Sequence, residues 1–170
     1  SDLDLLVTRW TTGQTFKWAK RYGGLAKKDD AATDAVIDSK GNVFVGMILG
    51  DGLSAWSRET KKVTTFPIPE AITGGHGSLP YGVIADHNDK IWIALARRGK
   101  ILKFDTRQNN WTEYQPLTYP NHTRRLNFDY AGNIWWGIWA AGTSRPGKLA
   151  KMNTATGKIT EYTIPDQAAN

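Results

Sequence analysis

The sequence predicts an all-β protein, a β-propeller of four-stranded antiparallel blades, with about three and a half blades in the chain. Three observations support this prediction. A unit with the length of a propeller blade occurs three times. Each unit holds four short runs in which β-branched and aromatic residues alternate with polar ones, which argues against a helical repeat. Stretches rich in Asp, Asn and Gly separate the runs and favour tight turns.

The repeat keeps its spacing at core positions. Equivalent residues lie 48 positions apart at two sites, which are Trp56, Phe104 and Met152 at the first and Phe66, Tyr114 and Tyr162 at the second. Ile91 and Ile134 lie only 43 positions apart, and the longer AAGTSRPG loop of the third unit restores the register. We therefore predict a half blade at residues 3–21 and three blades at 33–69, 80–117 and 124–165.

Each predicted element has a local cause. The segment LLVTRWTTGQTFKWAKR matches only the third and fourth strands of a unit, joined by TTGQ. In the second unit the four strands are YGVIAD, KIWIALA, KILKFD and WTEYQPL. The first two strands of the three units are joined by DSKGN, DHNDK and DYAGN, which supply turn hydrogen bonds or accept positive φ. The recurrence of Asp38, Asp86 and Asp129 at this turn indicates a structural role.

Composition excludes several classes of protein. The chain has 170 residues, 22 Lys and Arg against 16 Asp and Glu, and no cysteine. Disulfides, zinc–thiolate sites and thiol nucleophiles are therefore excluded. No apolar run reaches the ~20 residues of a membrane span. The net charge of +6 is moderate, without the dense basic block of a nucleic-acid arm, and we expect no specific nucleic-acid ligand.

Three tryptophans follow one turn in DYAGNIWWGIW. Trp135 is equivalent to Trp92 and Phe44, so we expect it to face a neighbouring sheet. Trp136 points to the opposite face and replaces Ile93, and we expect it in the core as well. Trp139 opens the long loop of its blade, where exposure at a binding surface and burial remain equally open.

The repeat resembles that of streptogramin lyases, the virginiamycin B lyase-like proteins. The phrases LPYGVIAD, GNIWW and TATGKITEYTIP carry the resemblance, which covers about residues 34–165. It implies a ring of seven blades. In the family, the lyases open a cyclic depsipeptide antibiotic by elimination, using Mg²⁺, a histidine base and glutamates.

The residues that this resemblance would require for catalysis are replaced. The position of the metal-binding Glu holds Met47, Leu95 and Ile138. The Pro-His-Gly at the start of a blade is replaced by Pro80-Tyr81-Gly82, Thr33-Asp34 and Arg124-Arg125. Apolar side chains cannot bind Mg²⁺, which requires oxygen ligands. We therefore predict no catalytic residue, metal or other cofactor on these blades.

One end of the predicted propeller is rich in basic residues. Loops that join strands two and three, and loops that join consecutive blades, leave a propeller on the same side. We predict that basic and aromatic residues on these loops form a binding surface for an anionic ligand or an acidic partner. They are Arg97, Arg98, Lys100, Arg124, Arg125, Arg145, Lys148, Tyr81, Trp139, His76 and His122.

Two classes of function remain open at this stage. The first is a non-catalytic, lyase-like propeller that serves binding or assembly. The second is a streptogramin lyase-type eliminase, or a related propeller lactonase, whose metal and catalytic residues lie on blades absent from this chain. Because an incomplete ring leaves open edges, we expect the partner to be the remaining propeller blades, another copy or another subunit. The compartment stays open, with a secreted or periplasmic protein favoured.

Overall fold

The computed structural model describes residues 32–75, 77–139 and 146–165 with their side chains, and residues 5–10 and 16–22 by their backbone. The backbone-only residues form an antiparallel pair, β1 (Leu5–Trp10) and β2 (Phe16–Tyr22). Three larger antiparallel sheets follow along the chain. The predicted fold class is confirmed, because these open sheets form a partial β-propeller.

The first two blades have the predicted four strands in sequential order. The first blade contains β3 (Ala32–Ile37), β4 (Val43–Met47), β5 (Gly52–Trp56) and β6 (Val63–Pro67). The second blade contains β7 (Pro80–Ala85), β8 (Lys90–Leu95), β9 (Lys100–Asp105) and β10 (Asn110–Tyr114). A one-turn helix that the sequence did not predict, α1 (Glu70–Thr73), lies between them. It ends at Gly74 in the left-handed conformation.

The third blade differs from the prediction in its first strand, which is split. The short strands β11 (His122–Thr123) and β12 (Asn127–Phe128) both pair with β13 (Ile134–Trp139). The blade continues with β14 (Lys148–Met152) and β15 (Ile159–Thr163). The pairing shifts by one residue across the interruption, as it does within β3 and β7. The split is therefore an enlarged form of a bulge that recurs at the start of each blade.

The predicted turns form as the sequence indicated. Asp38 Oδ1 accepts hydrogen bonds from the backbone N–H groups of Lys40 and Asn42, at 3.0 and 2.8 Å. Asp86 and Asp129 make the equivalent bonds in the other two blades. The fourth residue of each turn has positive φ, and it is Gly41, Asp89 or Gly132. The repeated aspartates are therefore structural, as the sequence predicted.

The core lies between the blades. In β8, Ile91, Ile93 and Leu95 pack against the first blade, while Trp92 and Ala94 pack against the third. Both faces of this strand are therefore buried. The prediction for Trp136 is confirmed, because its side chain is 2% exposed within the second of these clusters. Ser39 of the first blade further joins the second through two 2.8 Å hydrogen bonds to Asp89.

The outward face of the third blade lacks a covering sheet among the described residues. Trp135, Lys151 and Tyr162 repeat the arrangement of Trp92, Lys103 and Tyr114. The ring centroids of Trp135 and Tyr162 lie 6.0 Å apart, and those of Trp92 and Tyr114 5.6 Å apart. Trp92 is buried, whereas Trp135 is only half-buried, because the third blade covers the second. The expectation that Trp135 faces a neighbouring sheet is therefore not met within this structure.

Candidate functional site

The bulges at the start of the blades bring three inner strands close together. Thr33 Oγ1 of the first blade donates to the carbonyl oxygen of Pro80 in the second, at 2.8 Å. A β-carbon added to Gly82 would lie 2.4 Å from the carbonyl oxygen of Arg124 in the third blade. Only glycine therefore permits this approach of β7 to the third blade. The residues at the bulges, Tyr81, Arg124 and Arg125, consequently lie side by side.

These residues form a continuous row of planar groups. The guanidinium carbon of Arg124 lies 5.7 Å from the ring centroid of Tyr81 and 5.4 Å from that of Trp139. The guanidinium carbon of Arg125 lies 5.5 Å from the Tyr81 ring. His122 and Trp139, paired across β11 and β13, have ring centroids 5.5 Å apart. We call Tyr81, His122, Arg124, Arg125 and Trp139 the arginine–aromatic cluster.

The cluster is open to solvent and carries excess positive charge. Trp139 is 57% exposed, and the Arg125 side chain is 69% exposed. Asp34 of the first blade approaches Arg125, with 3.9 Å between Oδ2 and a guanidinium nitrogen. The same Asp34 oxygen accepts a 3.1 Å hydrogen bond from the backbone N–H of Val83. Within the described residues Arg124 makes no ion pair, so its charge is not neutralised by an acid there.

Asp34 was missed as a site residue from sequence. The alignment of the three blades places Asp34, Gly82 and Arg125 at one equivalent position. An acid in the first blade and a base in the third, at equivalent positions, could therefore have predicted that Asp34 and Arg125 lie close together. Gly82, at the same position of the second blade, has no side chain that would separate them.

Two predicted binding lysines have structural partners instead. Lys148 Nζ lies 3.0 Å from Glu161 Oε2 and donates to Thr118 Oγ1 at 2.6 Å. Burial raises the pKa of Glu161, but hydrogen bonds from Thr118 and Lys148 outweigh it, so the pKa lies below its usual value. Lys100, at the equivalent position of the second blade, pairs with Glu113 at 3.0 Å. Both lysines therefore join the third and fourth strands of their own blades.

Arg97 and Arg98 lie against the loop between the first and second blades. Arg98 donates to the carbonyl oxygen of Gly74 at 3.1 Å, and the Arg97 guanidinium packs on Gly77. In the described part of the chain, no contact joins either of them to the arginine–aromatic cluster. The structure thus brings together Tyr81, His122, Arg124, Arg125 and Trp139 but not these two arginines. Arg145 and His76, also predicted for this surface, lie outside the described residues.

The sequence Asn121-His122-Thr123 has the form of a glycosylation site, but its asparagine is buried. Asn121 is 3% exposed. Its Nδ2 donates to the carbonyl oxygen of Thr118 at 2.5 Å, and its Oδ1 accepts from Thr123 Oγ1 at 3.0 Å. The amide that would carry a glycan is therefore engaged inside the fold.

The positions at which the resemblance to the lyases would place a metal-binding Glu do not fit Mg²⁺ here. Met47, Leu95 and Ile138 lie in the interior, with exposures of 5%, 0% and 3%. Leu95 and Ile138 pack in the clusters between blades. Their side chains offer no oxygen ligand. No group of three or more His, Asp and Glu side chains with metal-binding spacing occurs among the described residues.

Comparison with solved structures bears directly on the fold. The virginiamycin B lyase of Staphylococcus aureus superimposes with a TM-score of 0.75 at 16% identity, over 96% of this chain and 50% of its own. A streptogramin B lyase gives 0.74 at 17% identity, over 96% and 49%. The chain has a streptogramin lyase-like fold. No family model and no curated protein sequence matches it.

The streptogramin lyase-like fold also occurs in proteins with other names. Hydrazine synthase of Kuenenia stuttgartiensis gives a TM-score of 0.72 at 14% identity, over 94% of this chain and 43% of its own. The chain spans about half the length of the lyases that it matches. Such a likeness establishes the architecture alone, because one fold carries many activities. The described residues contain no helix with the length and apolar character of a membrane span.

Proposed function

We propose that this lyase-like propeller module is non-catalytic and binds an anionic ligand or an acidic partner at the arginine–aromatic cluster. The observation that carries the proposal is the pair of exposed guanidinium groups at Arg124 and Arg125: Arg124 contacts the rings of Tyr81 and Trp139, and Arg125 contacts the ring of Tyr81. Arginine binds carboxylate and phosphate groups through a planar fork of N–H donors. Contact with the aromatic rings restricts the arginine side chains before a ligand binds, which lowers the entropy lost on binding.

The absence of a catalytic role rests on chemistry at the aligned positions. Met47, Leu95 and Ile138 are apolar, and Tyr81 stands where the resemblance to the lyases would place a histidine. None of these four side chains supplies a metal ligand of the kind that Mg²⁺ prefers or an imidazole base. The residues of the arginine–aromatic cluster are suited to binding a negatively charged group.

Anion titration of two single charge reversals tests this proposal. We expect acetate to bind the full chain in low salt and to bind more weakly as NaCl is raised. Arg124→Glu should weaken acetate binding by about tenfold, because it replaces a charge-assisted contact by repulsion. Arg97→Glu, an equal change of charge on the neighbouring loop, is the matched control and should have less than about twofold effect.

Isothermal titration calorimetry gives both dissociation constants, and circular dichroism verifies that the variants keep their β-sheet content. Equal weakening by the two substitutions would show that acetate responds only to the net charge of the loops at this end of the propeller. Binding that does not respond to NaCl or to Arg124→Glu would contradict the proposal outright.

We also propose an assembly role, in which the outward face of the third blade binds a further four-stranded blade. Leu149 is 40% exposed there, whereas Ile101, its equivalent in the second blade, is fully buried by the third blade. Trp135 and Tyr162 likewise repeat Trp92 and Tyr114, and the latter pair is covered. Equivalent surfaces bind equivalent partners, and the partner of Trp92 is the apolar face of a blade. Continuity with this existing interface supports a further blade as the occupant.

A further inference from the structure

We propose that the arginine–aromatic cluster selects a monocarboxylate carried on an aromatic ring. This inference rests on the proposed function and specifies the chemistry of its ligand. It follows from the local charge, from the geometry of Arg124 and from the free ring surface of Trp139.

The local charge fits a monoanion. Among the described residues, Arg124 and Arg125 carry two positive charges and the adjacent Asp34 carries one negative charge, which leaves a net charge of +1. A carboxylate neutralises this charge. A phosphate dianion would give the site a net negative charge, and its second charge would be repelled by the carboxylate of Asp34. Asp34 is held in place by hydrogen bonds from the backbone N–H groups of Val83 and Ala35, so it does not move away.

The geometry of Arg124 favours a planar acceptor. The Tyr81 and Trp139 rings both lie within 6 Å of its guanidinium carbon, in the range of cation–π contact. A ring at this distance can lie against a face of the guanidinium and leave the N–H donors at its edges free for a ligand. A carboxylate, which is flat, can accept two parallel hydrogen bonds along one such edge.

Trp139 provides the surface for the ring of the ligand. It lies on the same side of β13 as Trp135, but its contacts are with His122 and Arg124, towards the inner strands. More than half of its surface remains exposed. An aryl group attached to a carboxylate on Arg124 can therefore stack on the indole, and such aromatic contacts favour binding beyond the area that they bury.

Four probes separate the features of this ligand: benzoate, acetate, cyclohexanecarboxylate and inorganic phosphate. We expect benzoate to bind the full chain about two- to tenfold more tightly than acetate, the range that one aromatic contact supplies. Cyclohexanecarboxylate should fall between the two because it buries area without an aromatic face. Phosphate should bind more weakly than benzoate.

Trp139→Ala should weaken acetate binding modestly, because Arg124 loses one of its two aromatic neighbours. It should weaken benzoate binding further, so that the preference for benzoate over acetate is lost. The matched control is Tyr130→Ala, which removes a fully exposed aromatic residue from the turn before β13. The control should preserve the preference. Chemical-shift changes in ¹H–¹⁵N spectra measure each affinity and report folding of both variants in the same experiment.

The outcomes distinguish the two proposals. If acetate or phosphate binds as tightly as benzoate and Arg124→Glu removes that binding, the aryl monocarboxylate assignment fails and the anion site stands. If Trp139→Ala leaves the benzoate preference intact, the assignment also fails. If none of the four probes binds in an Arg124-dependent manner, both this assignment and the proposed anion site are overturned.

Discussion

At the scale of single residues, Asp129 shows how one carboxylate organises the first turn of a blade. Its Oδ1 accepts from the backbone N–H groups of Ala131 and Asn133, at 3.0 and 2.8 Å. Its Oδ2 accepts from the indole Nε1 of Trp135 at 2.8 Å. The Trp135 indole first and the Asn133 side chain second lower the pKa of Asp129 from 3.8 to about 2. These donors favour the ionised form in the folded state.

This pKa predicts a loss of stability in acid. The folded state binds the Asp129 proton less tightly than the unfolded state, so the stabilisation is complete above about pH 4. It should disappear as the pH falls from about 4 towards about 2. Asp129→Asn should lower the free energy of unfolding near neutral pH. It should also flatten the pH dependence of that free energy between about pH 4 and about pH 2. Urea unfolding between pH 2 and 6 measures both effects, and parallel curves for the two proteins would contradict the prediction.

At the scale of elements, the bulge in β7 brings two blades into contact through Gly82. An added methyl group would lie 2.4 Å from the carbonyl oxygen of Arg124 and 3.1 Å from Cα of Arg125. These are backbone atoms, so they cannot turn aside as a flexible side chain can. The same contact aligns Arg124 and Arg125 with Tyr81, and the bulge therefore builds the cluster as well as the interface.

Gly82→Ala should therefore destabilise the chain by about 1–3 kcal/mol, the usual cost of overpacking. It should also weaken acetate binding, because Arg124 and Arg125 must shift. Gly137→Ala in β13 is the matched control, since an added methyl group there meets nothing within 4 Å. Its effect should stay within about 0.5 kcal/mol. Equilibrium urea unfolding measures the loss of stability in each variant. Equal losses would show that the close approach of β7 to the third blade does not contribute to stability.

At the scale of the whole molecule, the described residues of the three blades leave one apolar face, on the third blade, uncovered. Leu149 and Tyr162 are 40% and 47% exposed, beside the half-buried Trp135. An apolar face of this kind, next to an open sheet, promotes association. At the interface between the second and third blades, the equivalent residues of the second blade, Ile101, Tyr114 and Trp92, are covered by the third blade.

We predict that the isolated chain associates and is not a stable monomer. Size-exclusion chromatography with light scattering should give a mass above that of one chain. Leu149→Lys with Tyr162→Lys should shift the chain towards the monomer. Leu117→Lys, at an exposed position on the connection between the second and third blades, is the control and should not. A wild-type chain that is monomeric and melts cooperatively would contradict both this prediction and the assembly role.

The sequence by itself determined the strands, the turns and their repetition. Alternation of apolar and polar residues is a local property, and the Asp-x-x-Gly and Asp-x-x-Asp turns close through hydrogen bonds within five residues. The split first strand of the third blade and α1 were not predicted. Both lie where the chain adapts to neighbouring blades, and their conformation depends on contacts that are distant in sequence.

The candidate site was predicted only in part, because charge can be read from sequence but pairing cannot. In the sequence, Lys100, Lys148 and Arg124 look alike, because each is a basic residue on a predicted loop at the same end of the propeller. The tertiary structure separates them. Glu113 and Glu161, each on the adjacent fourth strand, neutralise the two lysines, whereas the neighbours of Arg124 are the rings of Tyr81 and Trp139, within cation–π distance. Which cation remains available to a ligand depends on the distance to the nearest acid, and only the packing of strands and blades decides that distance.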